Sequence, residues 1–107
     1  MKIIKNNIIP FKGYKEINLF GILFVRGNAQ VGSVDINHEK IHTAQMKELL
    51  YIPYYIWYVI EWLIRLILCW NTHVAYRNIS FEKEAYLHEE NMHYLKKRKH
   101  FNWIHLI

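Results

Sequence analysis

The stretch that decides the fold runs from residue 38 to residue 42 and reads His38-Glu39-Lys40-Ile41-His42. On a helix, residues four apart lie one above the other on the same face, so both imidazoles can bind one metal ion. A glutamate beside the first histidine can accept a proton from water at such a site. The pattern therefore predicts a zinc site with His38 and His42 as ligands and Glu39 as the general base. The alternative is a polar helical turn whose histidines face solvent.

The segments around this motif predict an α+β fold that is mainly helical, with short N-terminal strands followed by three helices. Runs of isoleucine, leucine and valine, interrupted by glycine and proline, predict short strands within residues 3–26. The strand at 21–26 is either a core strand or an edge strand that pairs with a bound peptide. Local capping signals predict the helices at about 38–50 (N-cap Asn37), 53–70 (Pro53 in its first turn) and 81–98 (N-cap Ser80).

Composition limits the classes of protein to consider. The chain has 107 residues, of which 52% are apolar and 16% aromatic, so we expect one folded domain over residues 1–107. The single cysteine, Cys69, excludes an internal disulfide and a cysteine-rich zinc site. The net charge is +5, with a basic block at residues 96–100, but no nucleic-acid-binding motif accompanies it, so a nucleic-acid partner is unlikely on sequence grounds.

Residues 49–70 raise the question of a membrane, because only Glu61 and Arg65 are charged in this segment. Its length is close to the roughly 20 residues that span a bilayer. A buried helix of a soluble domain and a membrane-associated helix both fit, and the sequence slightly favours the second. The first fourteen residues lack the unbroken apolar run of a secretion signal. We therefore expect a cytoplasmic location, free or at the cytoplasmic membrane.

A catalytic zinc ion needs a third protein ligand. Downstream, Ser80-Phe81-Glu82-Lys83-Glu84-Ala85-Tyr86 contains a Glu-x-x-Ala sequence. This resembles the element that follows His-Glu-x-x-His in gluzincins, and is nearest to the integral-membrane zinc proteases of the prenyl-protein-processing and heat-shock type. The resemblance implies a minimal zincin-like core, Glu82 as the third zinc ligand and Ala85 packed near the metal helix. Where the family has an aspartate that steadies a zinc-bound histidine, this chain has Tyr86.

Helical spacing alone points to a different carboxylate. Phe81, Ala85 and His88 share one face of the last helix, and Glu84 lies at the edge of that face, whereas Glu82 is turned about 100° from Phe81. Glu82 is thus the expected ligand by resemblance, with Glu84 in reserve. Side chains that could stabilise an oxyanion, or support the ligands, are Tyr76, Tyr86 and His88.

Two functions follow from these features. The first is a zinc-dependent metallopeptidase in which Glu39 activates water to hydrolyse a bond in an unidentified peptide or protein. The second is a non-catalytic membrane-associated or interaction protein that keeps a zincin-like scaffold.

Overall fold

The computed structural model describes residues 1–10 and 14–107. The described residues form an α+β fold that is mainly helical, as the sequence predicted. The strands are β1 (Lys2–Asn6), β2 (Glu16–Leu19) and β3 (Ile22–Arg26). The helices are α1 (Ser33–Glu48), α2 (Ile52–Cys69), α3 (Thr72–Arg77), α4 (Ser80–His88) and α5 (Tyr94–Lys97), followed by a 3₁₀ helix at Asn102–Leu106.

The three strands form one sheet with the order β1-β3-β2. Strand β3 is central, pairing with β1 in parallel and with β2 in antiparallel orientation. The hairpin between β2 and β3 turns at Phe20 and Gly21, whose φ angles of 53° and 87° are those of a two-residue turn that matches strand twist. The alternative that the 21–26 strand is an edge strand is therefore wrong. Among the described strands, the edges are β1 and β2.

The outer edge of β2 is partly covered by a side chain from α2. The hydroxyl of Tyr55 accepts a hydrogen bond from the Phe20 N–H at 3.0 Å and donates one to the Asn18 carbonyl oxygen at 3.2 Å. Alternate residues of an edge strand direct their backbone groups away from the sheet. The Tyr55 hydroxyl thus bonds the backbone N–H of Phe20 and the carbonyl oxygen of Asn18, which a neighbouring strand would otherwise pair with at this end of β2.

Helix α1 begins at Ser33, five residues before the predicted start. The prediction of Asn37 as N-cap is wrong, because Gly32 holds that position and Asp35 accepts a hydrogen bond from the Gly32 N–H at 3.2 Å. Asn37 lies inside the helix, and its amide donates to the carbonyl oxygen of Glu89 at 2.8 Å, just beyond the end of α4. Asparagine is a common helix cap, but here the side chain of Asn37 makes a contact with a residue that is distant in the sequence.

The prediction of one continuous last helix, 81–98, is wrong, because the helix is interrupted at residues 89–93, between α4 and α5. At the break, the Asn91 side chain accepts a hydrogen bond from the His93 N–H at 3.0 Å, a local turn that competes with helix. Ser80 is the first residue of α4 rather than its cap, which is Ile79. The break allows α5 and the residues after it to fold back onto α4.

The main apolar core lies between α1, α2, α4 and the 3₁₀ helix. It consists of Met46, Tyr54, Ile79, Phe81 and Trp103. A second cluster, formed by Ile41, Ala85, Tyr94 and Leu95, joins α1 to α4 and α5. Helices α1 and α4 are therefore packed directly against each other, and the facing side chains of these two helices form the site described next.

Candidate metal centre

The histidines of the motif lie on the inward face of α1 and are buried, with exposures of 8% for His38 and 4% for His42. The solvent-facing alternative is therefore wrong. Ligand atoms of His38, Glu39 and His42 lie within 4.8 Å of one another, a cluster that could hold a metal ion. The packing of α4 on α1 brings Glu82, which is 4% exposed, against both rings.

Three atoms of this cluster form a nearly equilateral triangle. The Nε2 atoms of His38 and His42 are 3.1 Å apart, and Glu82 Oε1 is 3.2 Å from the first and 3.1 Å from the second. Ligands at about 2.0–2.1 Å from a tetrahedral zinc ion are separated by about 3.3–3.4 Å. The two imidazoles and the carboxylate therefore have a spacing close to that of ligands of one metal ion.

Gln45 orients one of the two imidazoles. Its amide nitrogen donates to the Phe81 carbonyl oxygen at 3.0 Å and to Glu84 Oε1 at 2.9 Å, which fixes the direction of the amide. Its amide oxygen therefore accepts a hydrogen bond from His42 Nδ1–H at 2.8 Å. An imidazole that donates through Nδ1 directs Nε2 at the cluster, as histidine ligands of metals commonly do.

His38 has two neighbours on its outer side. Its Nδ1 atom is 3.7 Å from Glu89 Oε2, and its ring meets the edge of the Tyr86 ring with centroids 4.6 Å apart. Tyr86 thus contacts His38 through its ring rather than through its hydroxyl. The nearby carboxylate is supplied by Glu89, three residues further along the chain.

Glu82 is held as a carboxylate. Burial alone would raise its pKa, but the charge of His42 and hydrogen bonds from both histidines lower that pKa well below its usual range. In turn, Glu82 raises the pKa of His42 to about 9, although burial alone would lower it. The Tyr58 hydroxyl donates to the second carboxylate oxygen, Oε2, at 2.7 Å. The Glu82 carboxylate therefore stabilises positive charge on His42.

Glu84, the reserve ligand, is engaged elsewhere. It is fully buried and accepts hydrogen bonds from Tyr94 at 2.6 Å and from Arg98 at 2.5 Å. The Arg98 guanidinium also binds Glu48 through two nitrogens at 2.8 and 2.9 Å. Glu84 is thus part of a buried ion-pair network that ties α1, α4 and α5 together behind the histidines.

A cavity of about 290 Å³ opens beside the cluster. Its lining comprises Glu16, Ile17, Asn18, Glu39, His42, Met46, Tyr54, Tyr55, Tyr58, Tyr76 and Glu82. Burial raises the pKa of the Glu39 carboxyl, and it also raises the pKa of Glu16, to which the nearby charge of Glu39 contributes. A carboxylate whose pKa is shifted towards neutrality is suited to proton transfer.

The three other candidate residues have different surroundings. Tyr76 lines the cavity, and its hydroxyl is 2.9 Å from that of Tyr86, so these two are brought together. The guanidinium group of Arg77 lies over the ring of Tyr86, with the guanidinium carbon 3.7 Å from the ring centroid. His88 does not line the cavity; its ring stacks on Tyr94 at a centroid distance of 3.7 Å.

Several residues at this centre escaped the sequence analysis. Tyr54 and Tyr58 lie on α2. The sequence could have predicted their inward position, because they recur with Glu61 at intervals of three and four, on the face opposite the aliphatic residues of that helix. Glu89 and the β2 residues Glu16 and Asn18 carry no local signal. Their positions depend on the break after α4 and on how the sheet packs against α1.

No protein-family model matches the chain, and comparisons with curated proteins and with solved structures found no significant match. The resemblance to gluzincins therefore remains a likeness of two short motifs. What the structure adds is a buried histidine–glutamate cluster able to bind a metal ion.

Proposed function

We propose that this protein is a zinc-dependent hydrolase that cleaves peptide bonds. The observation that carries the proposal is the triangle of His38 Nε2, His42 Nε2 and Glu82 Oε1, with sides of 3.1–3.2 Å, beside a cavity that also contains the Glu39 carboxylate. Two histidines and a glutamate are a common ligand set of catalytic zinc, and they leave a fourth position for water or substrate.

Zinc bound there would supply a Lewis acid that polarises the scissile carbonyl and acidifies water. Glu39 accepts a proton from the attacking water, whose oxygen forms the new bond to the carbonyl carbon. The same carboxyl group then gives the proton to the leaving nitrogen as the C–N bond breaks. The hydroxyl of Tyr76 is the cavity-lining donor that would bond the developing oxyanion, oriented by its contact with Tyr86.

The charge of the cavity favours one class of peptide. Three carboxylates, Glu16, Glu39 and Glu82, line it, and no lysine or arginine does so among the described residues. The Oε2 atom of Glu16 is buried without a hydrogen-bond partner in the described part of the chain. We expect peptides that are neutral or cationic near the cleaved bond to be favoured over acidic ones.

The second candidate is a non-catalytic scaffold, and one observation favours it. The histidines and Glu82 satisfy one another as a buried ion pair, with Glu82 further bonded by Tyr58. Such a cluster can be part of a folded core without binding a metal ion and without catalysing a reaction. A protein of this kind would fold and interact with partners unchanged after Glu39 is neutralised.

The test combines zinc content with hydrolysis of a fluorogenic peptide library. The wild-type protein should hold close to one zinc ion per chain, His38→Ala should lose it, and Glu39→Gln should keep it while losing hydrolysis by about 10²-fold or more. Glu90→Gln, the same change at an exposed glutamate, is the matched control and should leave both quantities unchanged. Zinc bound without hydrolysis of any peptide would favour the scaffold, and absence of zinc after supplying it would refute the metal site.

A further inference from the structure

Most aliphatic side chains of α2 lie on its outward face, whereas an ordinary surface helix directs them at the core. The inward face of α2 is aromatic with one buried carboxylate: Tyr54 and Glu61 are 3% and 8% exposed, and Glu61 accepts hydrogen bonds from the Ser80 N–H at 3.0 Å and from the Trp57 indole at 2.8 Å. Its outward face is aliphatic. Seven side chains there are 46–72% exposed, and we call them the aliphatic stripe: Ile56, Val59, Ile60, Leu63, Ile64, Ile67 and Leu68.

The aliphatic stripe is continuous and free of charge. Its residues recur at intervals of three and four, so they form one band along more than three turns of the helix. Both charged residues of α2, Glu61 and Arg65, lie outside the stripe and are less exposed than its members. A monomeric soluble protein rarely exposes an uninterrupted apolar band of this kind, so the stripe marks a contact with an apolar partner.

We propose that the aliphatic stripe lies in the interface of a lipid bilayer, with α2 parallel to the membrane plane. A helix that exposes one strongly apolar face binds membranes in this way, with that face at the boundary between headgroups and acyl chains. The net charge of +5 suits the anionic lipids of cytoplasmic membrane surfaces. This inference is independent of the proposed hydrolase activity.

Length alone would also permit α2 to cross the bilayer, since among the described residues it is the one helix long and apolar enough to do so. The packing argues against that orientation. Helix α3 packs along α2, where the Trp62 indole donates to the Thr72 carbonyl oxygen at 3.3 Å, and α3 carries the exposed side chains of His73 and Arg77. Crossing would take these polar groups towards hydrocarbon depth, which is costly, whereas the parallel orientation keeps them on the aqueous side.

The first test is flotation of the full-length chain with vesicles of phosphatidylcholine, with and without phosphatidylglycerol. The wild-type protein should float with the anionic vesicles. The double variant Ile64→Gln/Ile67→Gln should bind these vesicles at least about tenfold more weakly. Leu87→Gln changes an aliphatic residue of α4 that is 67% exposed, and this control should bind like the wild type. Circular dichroism of each variant verifies folding.

The second test measures orientation with the single cysteine, Cys69, which is exposed at the end of α2. A fluorophore is attached there or, in a Cys69→Ser background, at Ile52→Cys at the opposite end of the helix. With protein added to preformed vesicles, an impermeant quencher outside them should reach both labels equally. Protection of one end only would show a spanning helix and overturn the proposal. The proposal would also be overturned if the wild-type protein did not bind vesicles, or if it dimerised through the aliphatic stripe.

Discussion

Replacing Gln45 by leucine tests whether zinc binding at the candidate metal centre depends on the residue that orients His42. Gln45 is fully buried, and its amide makes three hydrogen bonds, with His42, Phe81 and Glu84. Leucine has a similar volume but satisfies none of these partners. Loss of the groups that orient a zinc-binding histidine typically weakens metal affinity by about 10–100-fold, or about 1.4–2.7 kcal/mol.

The same substitution should also lower the free energy of unfolding. The substitution removes three buried hydrogen bonds, and a hydrogen bond typically contributes about 0.5–1.5 kcal/mol, so we expect a loss of about 1.5–4.5 kcal/mol. Zinc affinity is measured by competition with a chromophoric chelator, and stability by chemical denaturation. Gln30→Leu makes the same change at an exposed position and is the control. If folded Gln45→Leu protein bound zinc as tightly as the wild type, the role assigned to Gln45 would be refuted.

Two further predictions concern the buried ion pairs. Arg98→Met should lower the free energy of unfolding by about 3–5 kcal/mol, because it leaves the buried carboxylates of Glu48 and Glu84 without their cation. Chemical denaturation measures this loss, and Lys99→Met, the same change at an exposed position, is the control that should alter stability little. Burial alone would raise the pKa of Glu84, but hydrogen bonds from Arg98 and others lower it below 4.5, so its contribution to stability is complete above that pH and is lost as the pH falls. The melting temperature of Glu84→Gln should accordingly depend less on pH between about 5 and 3 than that of the wild type, and equal dependence would contradict this assignment.

Much of the architecture could be predicted because its signals are local. The spacing of His38 and His42 determines that both rings share a face of α1, and Pro53 marks the start of α2 within one residue. By contrast, Asn37 is a good helix cap by local rules, yet its side chain serves the far end of α4. The residues next to Asn37 give no indication of a partner that lies 52 positions away in the chain.

The choice between Glu82 and Glu84 could not be made from periodicity. Periodicity assumes that a helix has one buried face, but α4 is enclosed by α1 on one side and by α5 with its following residues on another. Both glutamates are consequently buried, one against histidines and the other against Arg98. Similarly, the apolar character of α2 was evident from the sequence, whereas the outward direction of its aliphatic stripe required the positions of Tyr54 and Glu61.

The hydroxyl of Tyr55, which bonds the backbone of Asn18 and Phe20, has a consequence for how copies of this protein meet. An open strand edge is a template on which another chain can add a strand and begin to aggregate. Here the backbone groups at the turn end of β2 are already bonded to a side chain of the same molecule, so another strand cannot pair with that end of the edge while the Tyr55 contacts are in place. Substitution of Tyr55 by phenylalanine would keep the aromatic packing but leave these backbone groups free to pair with another chain. The tendency of the protein to aggregate at high concentration would then depend on a single hydroxyl group.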